Sequence, residues 1–365
     1  MTYFLYFVTL VSNFLVSLRK KPNLVVLLFT LGIILLLWVG ITEGPDIANY
    51  HMHFVASEAR VLRYAFYQFL YNYPIYFFRE LGFSFYQYRF FVTIFAWLLI
   101  LYSLKLLRTN IHLVLFAYFI VEFFMEGIQI RNFLALPFLL LGVVFLVKQC
   151  FLWRVWFLLA VGLAASIHSS YWVYIVLVFV PSLVDAKDRT ICLVGLGALF
   201  FISFFFLFRN QLSCFSNFLI SFDETRGLHY TQKTTHLGVL IPMFLQMFAI
   251  LIVNFVRLEL IKYRNSGNKD LSLPIRTVSI ILWIDILSSY FISLCILELT
   301  FYRLIRNLLL VNWIAIGIGS NYFKKNVIFN ILIMGYLCAW FIAEFIIWND
   351  WHYIIPHFFN GNLYL

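Results

Sequence analysis

The chain has 365 residues, of which 64% are hydrophobic, 21% are aromatic and only 12% are charged. Soluble domains carry about 25% charged residues, and a water-soluble globule of this length cannot bury so much apolar surface. The composition therefore excludes a cytosolic enzyme, a secreted disulfide scaffold and a disordered protein, and it predicts an integral membrane protein. The formal net charge of +10 is also typical of proteins that bind nucleic acid, but the distribution of the basic residues along the chain has another explanation, given below.

Apolar runs along the chain predict the membrane-spanning helices. A spanning helix needs about 20 apolar residues, and the sequence contains about twelve such runs, several of them short. They predict an all-α polytopic protein with a single transmembrane domain over residues 1–365. The runs lie at about 2–18, 24–42, 86–104, 111–126, 132–147, 153–167, 169–184, 190–208, 237–256, 277–297, 304–320 and 327–347.

The basic residues between these runs indicate the orientation of the helices, because cytoplasmic loops are enriched in Lys and Arg. If residues 19–21 are cytoplasmic, alternate crossings place every further basic loop on that side and both termini outside. The polar segment at about 257–276 is then a basic cytoplasmic loop. Topology thus explains most of the positive charge, and no nucleic-acid partner is expected. The groups lie at 19–21, 105–108, 148–154, 187–189, 257–276 and 324–325.

The remaining basic residues fall on the outer side, against this bias, and almost all of them are arginine. Arg is suited to bidentate binding of phosphate or carboxylate, so the set indicates a site for an anion. Snorkelling at the membrane interface is the alternative for any single member. They are Arg60, Arg63, Arg79, Arg89, Arg131, Arg209, Arg226, Lys233, Arg303 and Arg306.

Two outer segments, about 43–85 and 209–236, are too long for simple turns. The first contains an aromatic stretch at 58–71 with charges three to five residues apart, which predicts helices lying in the membrane interface. The second carries Arg226, His229, Tyr230 and other polar residues.

Asp46 and Tyr50 follow a Gly-Pro turn just outside the second run, and a helix beginning there places both on one face. A carboxylate at the bilayer surface can act as a general base on a sugar hydroxyl, or simply cap the helix. His51 and His53 are not neighbours on a helix, so no metal site is expected from them.

Arg131 opens the fifth run, next to the turn at Gly127. The amides at a helix N-terminus bind anions, whereas an Arg there opposes the helix dipole, so a bound phosphate or pyrophosphate would reconcile the two.

Two further clusters lie at the outer ends of later runs. His168 and Ser170 separate the sixth run from the seventh, and His168 is either a proton shuttle or phosphate donor, or a hydrogen-bonded structural residue. The second cluster lies before the eleventh run and is either an ion-paired helix end or a second phosphate clamp. Asp285, deep within the tenth run, is expected to have an interhelical partner. The second cluster consists of Glu298, Tyr302, Arg303 and Arg306.

The order of these motifs resembles the EpsG family of bacterial polysaccharide-biosynthesis membrane proteins, counted among the Wzy-type polymerases. The family pattern has Asp-x-x-x-Tyr, then Arg-Gln-x-x-Ala, then Ala-x-x-x-His-x-Ser. The chain departs from it at Asn132, which stands in place of Gln, and the resemblance spans about residues 24–320. The matching residues are Asp46 and Tyr50, Arg131 and Ala135, and Ala164, His168 and Ser170.

The resemblance implies a GT-C-like glycosyltransferase of the bacterial plasma membrane. It would polymerise undecaprenyl-pyrophosphate-linked repeat units into a capsule, O-antigen or exopolysaccharide at the outer face, with no metal and no cofactor. Arg131, with Arg226, Arg303 or Arg306, would neutralise the pyrophosphate, and Asp46 or His168 would take the acceptor proton. A chain-length regulator and a flippase are implied as partners. The expected substrate-binding residues are Tyr50, Arg60, Arg63, Ser170, Arg226, His229, Tyr230, Glu298, Tyr302, Arg303 and Arg306.

Three other functions compete with this interpretation. A flippase for lipid-linked oligosaccharides needs a polar path to both faces, whereas the polar residues here concentrate at outer helix ends. A membrane acyltransferase needs a cytoplasmic route for its donor, and His168 lies on the other side in the predicted topology. A structural scaffold leaves the outer arginines unexplained.

Overall fold

A computed structural model describes residues 2–19, 21–44, 46–56, 68–185, 188–208, 238–266, 271–297, 299–348, 350–359 and 362–364. Within these ranges the secondary structure is helical, and the only extended pairing is an isolated antiparallel bridge between Ile41 and Asn362. The prediction of an all-helical chain is confirmed. The sequence-predicted residues Arg60, Arg63, Arg226, His229, Tyr230 and Glu298 lie outside the described residues.

The described helices begin with α1 (Thr2–Ser17), α2 (Leu24–Val39), α3 (Ile47–Val55), α4 (Phe69–Glu80), α5 (Phe85–Leu106), α6 (Ile111–Val121), α7 (Phe123–Ile128), α8 (Ile130–Lys148) and α9 (Trp153–Ile167). A 3-10 helix (Ser169–Phe179) leads into α10 (Val180–Leu183), α11 (Asp188–Leu207), α12 (Leu240–Asn265), α13 (Ser272–Ser288), a 3-10 turn (Ser289–Phe291), α14 (Ile292–Leu297), a 3-10 turn (Leu299–Tyr302) and α15 (Arg303–Arg306). The chain ends with α16 (Leu309–Phe323), α17 (Val327–Phe341), a π-helix (Ile342–Ile347), α18 (Asp350–Tyr353) and α19 (Ile355–Phe359).

Within the described residues, seven helices are long and apolar enough to cross a membrane, and shorter apolar helices lie between them. Together they overlap every apolar run of the sequence, so the chain is a multi-pass membrane protein. The number of crossings stays a prediction. The long helices are Phe85–Leu106, Ile130–Lys148, Arg189–Leu207, Leu240–Asn265, Ser272–Ile296, Arg303–Phe323 and Val327–Ile347; the shorter ones are Tyr3–Ser17, Leu24–Val39, Ile111–Val121, Trp153–Ile167 and Ser169–Leu183.

The seventh apolar run departs from a regular α-helix, because Ser169–Phe179 winds as a 3-10 helix. This segment is rich in valine, isoleucine and aromatic residues, which lose side-chain freedom in an α-helix and therefore favour it weakly. A long 3-10 stretch is uncommon and places a tightly wound segment directly after His168.

Polar caps mark where three helices of the first half begin. The Asn23 side chain accepts from two amides at the start of α2, and Asn110 does the same for one amide at the start of α6. Ser84 and Gln87 form a reciprocal capping box at the start of α5. These caps satisfy amides that would otherwise lack partners at each helix end.

The chain forms two compact units: unit 1 comprises Met1–Val178 and Ile316–Leu365, and unit 2 comprises Phe179–Ala315. The core of unit 1 is built around α8, which is buried along most of its length between α5 and α9. α1 packs against α2 and α6 in the same unit. The prediction of a single transmembrane domain stays a prediction.

The described motif segments of unit 1 lie together at one end, which we call the motif end and define as three segments: residues 41–44 with 46–50, residues 126–132 and residues 168–171. Arg89 of α5 donates to the carbonyls of Ile41 and Gly127. These two hydrogen bonds connect the first segment to the second. The Tyr171 hydroxyl donates to the Asn132 carbonyl at 3.1 Å and ties the third segment to the second.

Both ends of the described chain pack near this motif end. The Tyr3 ring stacks on Phe359 with centroids 3.9 Å apart, and the Leu363 amide donates to the Gly40 carbonyl at the end of α2. The placement of both termini on the outer side of the membrane stays a prediction.

Three basic residues of unit 1, Arg19, Arg108 and Lys324, lie at the opposite ends of their helices. The Lys324 ammonium donates to the carbonyls of Ser17 and Arg19, both at 3.1 Å, and the Asn321 amide donates to the Arg108 carbonyl at 3.4 Å. The positive-inside pattern predicts that this end faces the cytoplasm, and the orientation stays a prediction.

Unit 2 buries Asp285 completely within α13. Its carboxylate is hydrogen-bonded by the side chains of Asn312 from α16 and Gln246 from α12. The Gln246 amide also donates to the Asp285 carbonyl at 2.7 Å and to the Ser288 hydroxyl at 3.0 Å. These contacts give Asp285 the interhelical partners that its position predicts.

Candidate functional site

The Asp46 carboxylate stands at the first turn of α3 without capping it. Asp46 occupies the N-cap position, but its side chain makes no cap hydrogen bond, so the structure does not support the alternative role of Asp46 as a helix cap. Its φ of −105° and ψ of −16° are helical, whereas a capping side chain usually extends from β-region backbone. The Asp46 carbonyl accepts from the Tyr50 amide at 3.0 Å, so the two side chains share one helix face as predicted.

Tyr71, at the start of α4, links the Asp46 helix to Arg131. Its ring lies 6.2 Å from the Tyr50 ring in a T-shaped arrangement, and the Arg131 guanidinium lies 5.1 Å from the ring centre. Tyr71 also stacks on His53, whose Nε2 is 2.9 Å from the Asn72 side-chain oxygen. The buried phenol therefore brings residues of α3 and α8 to one place.

Burial raises the pKa of the Tyr71 hydroxyl well above its ordinary value. The neighbouring Tyr88 and Tyr50 act in the same direction, and the positive charges of Arg131 and Arg89 oppose them. Tyr71 is therefore a neutral phenol at physiological pH, and its ring face stays available to a cation.

Arg131 is the second residue of α8 and carries an unsatisfied polar group. Its Nε is buried and makes no hydrogen bond within the described chain, and its guanidinium makes no ion pair there. The N-cap residue of α8, Gln129, makes no side-chain hydrogen bond to the amides of the first turn. An unpaired guanidinium beside an uncapped helix start forms a cationic site with N–H donors, which suits a phosphate ligand.

A buried pair holds the turn that precedes Arg131. The Asn132 amide donates to both carboxylate oxygens of Glu126, at 2.9 and 3.2 Å, and both residues are almost completely buried. The Asn132 carbonyl accepts from the Tyr171 hydroxyl. Asn132, at the position where the EpsG pattern has Gln, thus fixes the backbone on either side of Arg131.

His168 ends α9 in an extended conformation and is hydrogen-bonded to Ser170. The distance between its Nδ1 and the Ser170 hydroxyl oxygen is 2.7 Å, and both residues are half-buried. Its ring centroid is 6.1 Å from that of Tyr171, the residue that contacts the Asn132 carbonyl. The motif end therefore contains His168 as well as Asp46 and Arg131.

The second predicted phosphate clamp belongs to unit 2. Tyr302 ends a 3-10 turn, and Arg303 and Arg306 begin and end the short helix α15. Tyr302 and Arg306 are buried, and Arg303 is half-buried. Participation of these residues in the same site as Arg131 stays a prediction.

Sequence reasoning did not assign a structural role beside the motif segments to four side chains: Tyr71, Arg89, Glu126 and Tyr171. Arg89 was visible as one of the outer arginines, and Glu126 as part of the turn before Arg131. Tyr71 and Tyr171 carried no signal, because each lies within a stretch rich in aromatic residues. Within the described residues, no group of three or more His, Cys, Asp or Glu side chains is arranged to hold a metal ion.

Comparison with known proteins gives one match. The model of the EpsG family matches residues 2–359, nearly the whole chain. No curated protein and no solved structure matches the chain.

Proposed function

Because the chain belongs to the EpsG family, whose members are Wzy-type polymerases, we propose that it joins lipid-linked oligosaccharide repeat units into a bacterial surface polysaccharide. The carrier is undecaprenyl pyrophosphate, and the product is a capsule, O-antigen or exopolysaccharide. The observation that carries the proposal is the buried Arg131 Nε, which has no hydrogen-bond partner among the described residues, at the start of α8, where Gln129 makes no side-chain cap bond. A leaving pyrophosphate is the anion that such a group would stabilise.

The transfer requires an electrophile and a leaving group. A hydroxyl of the acceptor sugar attacks the anomeric carbon of the donor glycan and forms the new glycosidic bond. The bond from that carbon to the pyrophosphate oxygen breaks, and the lipid pyrophosphate leaves with the electron pair. Arg131 stabilises the charge that develops on that oxygen, because its N–H groups are oriented by stacking on Tyr71 before the reaction.

The acceptor hydroxyl must lose its proton to a base, and Asp46 is the better placed of the two candidates. Its carboxylate makes no cap bond and no ion pair with a described residue. The Nδ1 of His168 is already engaged by Ser170. We assign the proton to Asp46, and we assign His168, oriented by Ser170, to a hydrogen bond with the donor phosphates.

The remaining features of the proposal concern the membrane. Twelve crossings of a GT-C-like fold place the motif end at the outer face of the bacterial plasma membrane, with α3 and α4 in the interface. Tyr50 packs against acceptor sugar rings, and the outer loops complete the groove. Arg60, Arg63, Arg226, His229, Tyr230, Glu298, Tyr302, Arg303 and Arg306 provide the further substrate contacts. A flippase that supplies the repeat units and a chain-length regulator act with the protein.

The proposal is tested with the purified protein in lipid vesicles that contain lipid-linked repeat units. We expect a ladder of products that differ by one repeat unit and that remain attached to the lipid. A flippase would instead move unchanged substrate between leaflets, which is measured by the accessibility of its glycan to an added glycosidase. Translocation without a ladder would overturn the proposal.

A further inference from the structure

Arg89 is a buried arginine whose two terminal nitrogens hold separate segments of backbone. Its side chain is 1% exposed. Nη1 donates to the Ile41 carbonyl at 3.1 Å, and Nη2 donates to the Gly127 carbonyl at 2.7 Å. The guanidinium makes no ion pair with a described carboxylate. Buried charges are ordinarily paired with an opposite charge, so this one calls for an explanation.

The two carbonyls belong to segments that lead to the proposed reacting groups. Ile41 lies between the end of α2 and Asp46, and Gly127 lies in the last turn of the short helix α7, which precedes Arg131. The two segments also lie close together, because a Cβ added at Gly44 would lie 3.5 Å from the Ile128 side chain. Arg89 is thus the hydrogen-bonded link between the segments of Asp46 and Arg131.

The Gly127 turn is held from its other side as well. A Cβ at Gly127 would lie 2.7 Å from Trp38 Nε1 and 2.8 Å from the Phe358 ring, so the backbone fits closely between them. The backbone at Gly127 is therefore closely packed on the side of Trp38 and Phe358, and the Arg89 bond holds its carbonyl on the other side.

Arginine suits this task because its guanidinium is planar and presents two donors in a fixed fork. A lysine has one point charge on a flexible stem and cannot reproduce two bonds at a fixed separation. The charge has a second consequence, since it adds positive potential beside an anionic ligand without contacting it.

We propose that Arg89 is a positioning residue that fixes the separation between Asp46 and Arg131. It does so by holding the Ile41 carbonyl, before Asp46, and the Gly127 carbonyl, in the last turn of α7 before Arg131. The proposal rests on the function given above for the role of those two residues. The holding of the loops is a property of the free protein, so it is measurable whether or not the protein is a polymerase.

The test compares Arg89→Gln and Arg89→Lys with the wild-type protein in vesicles. The matched control is Arg154→Gln, which removes one exposed arginine from the opposite end of α9. Amide hydrogen exchange is measured for peptides covering residues 41–47 and 127–131 without substrate, because it reports local opening. The kcat and KM of polymerisation are measured on the same samples with lipid-linked repeat units.

We expect both Arg89 variants to exchange at least about 10-fold faster in these two segments. We also expect kcat to fall by about 10- to 100-fold, because a misplacement of about 1 Å has an effect of that size. KM should change by less than about 3-fold, and Arg154→Gln should change nothing. Arg89→Lys keeps the charge, so its loss of kcat distinguishes geometry from charge.

Several results would overturn the proposal. A wild-type kcat in Arg89→Lys would show that a positive charge at this position is enough for activity. A rise in KM without a fall in kcat would show that Arg89 binds the substrate directly. Unchanged exchange in both variants would show that Arg89 does not hold the loops. If Arg89→Gln does not fold, Arg89→Lys decides alone. If the wild-type protein makes no ladder, the proposed function fails while the exchange rates still decide the role of Arg89.

Discussion

The Arg131 guanidinium lies 5.1 Å from the centre of the Tyr71 ring, and this contact joins the start of α8 to the start of α4. A cation over an aromatic face is oriented without being neutralised, so Arg131 retains its charge for a ligand. Since Tyr71 also touches Tyr50, the contact relates the Asp46 helix to the proposed pyrophosphate site.

The first prediction concerns the ring of Tyr71. Tyr71→Phe keeps the ring face and should retain polymerisation close to the wild-type rate. Tyr71→Leu removes it, and a cation–π contact of about 0.5–2 kcal/mol corresponds to a loss of about 2- to 30-fold in kcat/KM. Initial rates of repeat-unit consumption check this. Equal rates for the Phe and Leu variants would show that the ring does not orient Arg131.

The second prediction concerns alkaline pH. Burial raises the pKa of Tyr71 above its ordinary value of 10.0. Below pH 10 the phenol is protonated in both folded and unfolded chains, so its full contribution to stability is present. Above pH 10 only the unfolded chain ionises, and stability falls by up to about 1.4 kcal/mol per pH unit. Thermal unfolding at pH 9 and pH 11 should show a smaller fall for Tyr71→Phe, and an equal or larger fall would contradict this.

The third prediction separates Asp46 from His168. Asp46→Asn removes the base while keeping size, and should lower kcat by about 10²- to 10⁴-fold. His168→Gln and Ser170→Ala should lower the rate less and should keep the acid limb of the pH–rate profile. That profile and the yield of folded protein are measured for all three variants. If only His168→Gln loses the fall in rate at low pH, His168 and not Asp46 is the base.

The fourth prediction concerns the buried pair before Arg131. Asn132→Leu removes the amide that donates to both oxygens of Glu126, and should lower the free energy of unfolding by about 1–3 kcal/mol. Polymerisation should fall too, because the turn positions Arg131. Chemical unfolding in detergent measures the change, with the exposed Asn265→Leu as control. If the two variants have equal stability, the pair does not hold the turn.

The sequence was sufficient to place Asp46, Arg131 and His168 at one end, because alternate crossings bring every second loop to the same side. The sequence also predicts that His168 and Ser170 are neighbours, because residues separated by two positions at the end of a helix lie close together. The placement of basic residues at the opposite end of unit 1 follows from the same alternation.

The remaining parts of the site depended on packing that a sequence does not display. Arg89 turns inward from α5, a helix with apolar residues on all sides, so periodicity indicated no buried face. Glu126 meets Asn132 across the break between α7 and α8, which is not a regular helical spacing. The helix-capping role considered for Asp46 failed because its backbone is helical rather than extended.

The most direct test of the account is the length distribution of lipid-linked products made by the wild-type protein and by Arg131→Lys. Both are reconstituted in vesicles at equal amounts of folded protein, with Arg154→Gln as the control for loss of charge. We expect a ladder from the wild-type protein and from Arg154→Gln, and at least about 100-fold slower chain growth from Arg131→Lys, because one point donor replaces an oriented fork. A wild-type ladder from Arg131→Lys would contradict the account.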